Sequence, residues 1–144
     1  MNITDEHVAV LRAQLNADID EYRQRMQELK VDPDRAGFNA LLAAAFFLEI
    51  ERRFPSEGDV VSSIIEFVGQ VRAEFDNKDE WLDPTAAERL IRFVVLGEGE
   101  IEQFDAKTLG GLQIVLLTAS IRDRGLSPEE IDAFLADVRQ LAEA

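Results

Sequence analysis

The strongest constraint on this chain is the spacing of its apolar residues. From Val8 to Leu141 they recur every three or four positions, and period-two alternation is absent. That spacing gathers apolar side chains on one face of an α-helix. The β-branched residues fall inside these helical runs, so no strand signal competes. The expected fold class is all-α, a single-domain irregular or orthogonal bundle of about six helices covering residues 1–144.

Helix starts can be read because the first N–H groups of a helix lack intrahelical partners, which particular side chains supply. Thr4 caps a long N-terminal helix over 4–30, with Asp5 and Glu6 in its first turn. Its stripe is Val8, Leu11, Leu15, Ile19, Tyr22, Met26 and Leu29. Asp32-Pro33 opens a second helix, where proline's missing N–H costs nothing. That helix is apolar nearly all round through Phe47 and Leu48, which marks it as the buried centre, and its end from Glu49 to Arg53 is expected to return to solvent.

Ser56 and Asp59 have the spacing of a capping box for the third helix. Asp83-Pro84 opens the fourth, which ends at Gly97. Asp105 opens the fifth, which ends at Gly125. Ser127, Pro128 and Glu130 open the sixth. The third, fifth and sixth helices are expected to pack on the second. The stretch from Arg52 to Arg72 faintly echoes that from Arg122 to Arg139, which reads either as a duplicated hairpin or as two ordinary amphipathic hairpins.

Composition removes whole classes of chemistry. There is no cysteine, so a disulfide frame, a thiolate metal site and a Cys nucleophile are all excluded. The net charge of −14 disfavours binding to nucleic acid, itself a polyanion. The longest apolar run, residues 40–48, is far short of the about 20 residues a membrane-spanning helix needs. Acids stand at positions 5 and 6, where an export signal carries Lys or Arg. The expected setting is therefore cytoplasmic, without membrane association. Arg outnumbers Lys 12 to 3, which leans toward a bacterial source.

No catalytic residue, cofactor site or metal site is assigned. His7 is the only histidine, and its place in the first turn of a terminal helix suggests an exposed surface residue. Without a second histidine there is no di-metal Glu-x-x-His pair. Asp32, Asp34 and Gly37 begin like a calcium loop, but Ala36 and Ala43 stand where ligands belong. Gly97-Glu98-Gly99 and Gly110-Gly111 lack the Lys and Ser/Thr of a phosphate loop. Gly110-Gly111 instead suggests close approach of another helix, or a later helix start.

Charge is unevenly placed. Residues 74–105 hold ten acids and three bases, half of the chain's net charge. The acids form two groups flanking the fourth helix. One is Glu74, Asp76, Asp79, Glu80 and Asp83, with Trp81 among them; the other is Glu98, Glu100, Glu102 and Asp105. A tryptophan ringed by acids suits a docking surface for a basic protein. Against this, Asp83 and Asp105 are needed as helix caps, and Trp81 can equally cover the edge of the core.

The leading expectation is a non-enzymatic protein-interaction module. Its parallel with immunity proteins and anti-type regulators is one of size and charge only. Two alternatives stand beside it. One is a small-ligand binder or enzyme using carboxylates in an interhelical pocket. The other is a structural subunit forming a homodimer through the helix at 4–30.

Overall fold

The computed structural model describes residues 3–29, 35–55, 58–74 and 83–144. Among these are seven α-helices and no strand: α1 (Asp5–Leu15), α2 (Ile19–Leu29), α3 (Arg35–Arg53), α4 (Val60–Glu74), α5 (Pro84–Leu96), α6 (Ala106–Arg124) and α7 (Pro128–Glu143). A single 3-10 turn, Ile101–Gln103, lies between α5 and α6. The all-α reading holds, and no helix among the described residues is long and apolar enough to cross a membrane.

The helix starts follow the caps. Asp83 accepts from the Thr85 and Ala86 N–H groups, and Asp105 from that of Thr108. Ser127 and Glu130 form a reciprocal capping box. Gly97 and Gly125 end their helices at φ 68° and 64°, a conformation that carries no Cβ penalty in glycine. The third expected start needs correction. Ser56 lies outside the described residues, and Asp59 itself accepts from the Ser62 N–H at 3.2 Å, so the helix begins at Val60. Asp32 and Pro33 also lie outside the described residues.

The expected single helix over 4–30 is two helices, and this accounts for the seventh. Asp18 N–H reaches the Ala13 carbonyl at 2.9 Å and Ala17 N–H the Gln14 carbonyl at 3.1 Å. These are the paired bonds of a Schellman stop, with Ala17 left-handed at φ 59°. Asp18 then accepts from the Glu21 N–H and so caps α2. α2 folds back along α1, and Arg25 holds Glu6 at 2.9 Å. The dimer expectation therefore has no continuous helix to rest on.

α3 is the centre of the bundle, packed by α1, α5, α6 and α7. Leu41, Ala45 and Ile50 are wholly buried. Each fully buried Leu or Ile stabilises the fold by about 1.5–3 kcal/mol before entropy is counted. The helix is less uniformly buried than its composition suggests, since Phe47 is 42% exposed. α6 lies beside α3 and runs parallel to it. Glu49 meets Ser120 and Arg53 meets Asp123, at nearly constant offset.

α7 packs on α3 as expected, but α4 packs chiefly on α5. It meets the end of α3 through Phe67, which lies edge-on to Phe54 and beneath the Arg53 guanidinium. α5 turns Ala87, Leu90 and Ile91 inward against α3 and α4. The two hairpins that echo each other in sequence are thus packed differently.

A left-handed alanine costs about 1–2 kcal/mol more than glycine in the same conformation, partly offset by glycine's greater freedom when unfolded. Ala17→Gly should raise stability by about 0.5–1 kcal/mol in urea unfolding. A loss of stability would show that the α1 stop does not depend on this conformation.

Candidate functional site

The acidic edge begins at α5. Arg92 reaches past the end of the helix and holds Glu98 at 2.7 Å. Gly97 and Gly99 turn the chain away from α5. At Gly99, φ is 81°, which favours glycine; a Cβ there would also meet Gln103 Nε2 at 2.9 Å, a side-chain end that can swing aside. Residues 98–105 then alternate in role. Ile101 and Phe104 pack against the core, while Glu98, Glu100 and Glu102 are exposed. Glu100 and Glu102 have no ion-pair partner among the described residues. A hollow of about 340 Å³ between α5 and this loop is lined by Glu88, Arg89, Arg92 and Glu98 among others.

The other acidic group is only partly in view. Glu74 is the exposed last residue of α4, and Asp83 caps α5. Asp76, Asp79, Glu80 and Trp81 lie outside the described residues.

Asp105 is engaged in structure rather than offered to a partner. Its carboxylate accepts from Thr108 N–H at 2.8 Å and Thr108 Oγ1 at 2.9 Å. These bonds favour the ionised form and hold its pKa below the usual aspartate value.

The sequence pattern misplaced two polar residues. His7 is 0% exposed. Its Nδ1 accepts from the Thr4 N–H, and its own N–H donates to Thr4 Oγ1. The imidazole thus takes the place usually held by Glu or Gln in a capping box. The segment before α1 is tied to α7, because Arg139 donates to the Ile3 carbonyl and pairs with Asp5.

Glu49 is the larger correction, being 0% exposed instead of solvated. Ser120 Oγ donates to its Oε2 at 2.6 Å. Arg124 Nη2 stands 2.9 Å from Oε1, but without the alignment of a hydrogen bond. Arg53 donates to the same Ser120 hydroxyl and pairs with Asp123. The carboxylate therefore clamps α3 to α6. A signal was present, since Glu49 follows Leu42, Ala45 and Phe46 at helical spacing and continues the buried stripe.

The small-ligand alternative pictures carboxylates in an interhelical pocket. A groove of about 420 Å³ lies between α2, α3 and α6, and its lining includes no carboxylate among the described residues. Gly110 does not admit a tight helix contact, because nothing lies within 4 Å of where its Cβ would stand. Among the described residues, no group of three or more His, Asp or Glu could hold a metal ion.

Two outcomes test these assignments. Arg124→Met strands the Glu49 charge in the core and should cost about 2–3 kcal/mol in urea unfolding. Adding Glu49→Gln should recover part of that loss, because an amide still accepts from Ser120; additive losses would contradict the clamp. At Asp105, a depressed folded-state pKa contributes stability above the usual carboxylate range. That contribution is lost as pH falls through the depressed value. Asp105→Asn keeps an acceptor for the cap, so its deficit in melting temperature should be largest near neutral pH and vanish in strong acid. A deficit independent of pH would contradict the charged cap. No protein family, curated protein or solved structure matches this chain, so its function must be argued from its own residues.

Proposed function

We propose that this protein is a non-enzymatic interaction module that docks a basic protein partner on the acidic edge around α5. One observation carries the reading. Glu100 and Glu102 stand exposed, without ion pairs among the described residues, on a loop fixed from beneath by Ile101 and Phe104. Acids that served only solubility would need no such anchoring. Charges held in place on a firm loop attract a complementary surface and orient it on approach.

α5 has 13 residues and so spans about 20 Å. Asp83 lies at its N-terminal end and the residue 98–105 loop follows its C-terminal end. Trp81, with Asp76, Asp79 and Glu80 near it in sequence, is the apolar anchor that this reading calls for. Half of the chain's net charge falls in this segment, which gives the partner's approach a direction.

Capture from a lysate of the native host tests the reading when wild type is compared with Glu100→Gln/Glu102→Gln. The expected result is a basic protein retained at low salt, released at high salt, and retained several-fold less by the variant. Both positions are exposed, so the variant should melt like wild type. No retained protein, or retention indifferent to salt and to the substitutions, would contradict electrostatic docking.

A further inference from the structure

The groove between α2, α3 and α6 differs in chemistry from the acidic edge around α5. Its volume, about 420 Å³, is within the range of small-molecule sites. Met26 of α2, Phe38 and Leu42 of α3 and Ile114 of α6 give it apolar walls. The glycine at 110 leaves it open on the α6 side. Acids outnumber bases about two to one in this chain, yet among the described residues the two charged side chains lining the groove are Arg35 and Lys107. Neither has an ion-pair partner among the described residues.

The two cations share one end. α3 and α6 run parallel, and Arg35 and Lys107 lie in their first turns. The apolar lining continues one to two turns further along both helices, through Leu42 and Ile114. The neighbouring Asp105 makes no ion pair with Lys107; its oxygens accept from Thr108. Tyr22 lines the groove as well, and burial pushes its phenol pKa up, so the hydroxyl stays a hydrogen-bond donor.

We propose that this groove binds a single-chain aliphatic carboxylate, with the carboxylate at Arg35 and Lys107 and the chain along Phe38, Leu42, Met26 and Ile114. The overall charge of −14 opposes polyanions and anionic membrane surfaces, which leaves a small monoanion as the fitting occupant. A neutral apolar molecule would leave both cations unused, and a basic peptide would be repelled by them.

Titration calorimetry of the full chain with octanoate, decanoate and dodecanoate, each below its micelle concentration, tests this. Saturable one-to-one binding is expected, tightening about fourfold per added CH₂ until the groove is filled. Decan-1-ol should bind at least tenfold more weakly than decanoate. Gly110→Leu fills the open space and should weaken decanoate at least tenfold, while the melting temperature holds or rises because leucine favours the helix. Arg35→Gln/Lys107→Gln, at two exposed positions, should weaken decanoate about tenfold and leave decan-1-ol unchanged. Absence of saturable decanoate binding, equal affinity for decan-1-ol, or wild-type affinity in both variants would overturn the proposal. The charge variants at Glu100 and Glu102 should bind decanoate normally, so this site and the docking edge succeed or fail independently.

Discussion

Taking a carboxylate out of water is expensive unless a partner charge and hydrogen bonds meet it inside. Glu49 sits in that position, in the C-terminal third of the interface between the two 19-residue helices α3 and α6. Ser120 and Arg124 are on α6, so the cost is offset only when α6 lies beside α3 in one axial register. The apolar faces alone would tolerate a slide of one turn, since Leu, Ile and Val side chains substitute for one another in packing. A buried charge with fixed partners does not allow that slide. With α3 and α6 held in register, α1, α5 and α7 have a fixed surface to cover.

Most of the fold is legible in the sequence because helix ends are local chemistry. Asp83-Pro84, Asp105, Ser127-Pro128 and the glycines at 97 and 125 act within a few residues of where they stand, and each does what its type dictates. The break at residues 16–18 is not legible in the same way. Its left-handed residue is alanine, which gives no turn signal, and the stripe from Val8 to Leu29 stays in phase across it. His7 and Glu49 illustrate a second limit. A polar side chain is assigned to solvent unless its partners are known, and those of Glu49 lie more than 70 positions away. His7 is buried on α1, a helix covered by α2, α3, α6 and α7, again a matter of distant packing.

The candidate sites divide along the same line. The acids of residues 98–105 were visible as a local excess of charge, although their anchoring by Ile101 and Phe104 needed coordinates. The groove could not be read in advance, because Arg35 and Lys107 are ordinary helix-start cations until parallel packing brings them to one end. The molecule thus presents an acidic edge and a cationic apolar groove. Both proposals made for them, a basic protein at the edge and a carboxylate in the groove, are proposals of binding.

Amide hydrogen exchange measured residue by residue tests the central role of the α3–α6 pairing most directly. Protection should be highest in the buried middle of both helices, from Leu41 to Ile50 and from Leu112 to Ile121, with exchange only through global unfolding. α2 packs mainly on α1 and borders the open groove, so its amides should exchange through cheaper local openings. Exchange from α3 as fast as from α2, or local opening at Glu49 and Ser120, would contradict the account.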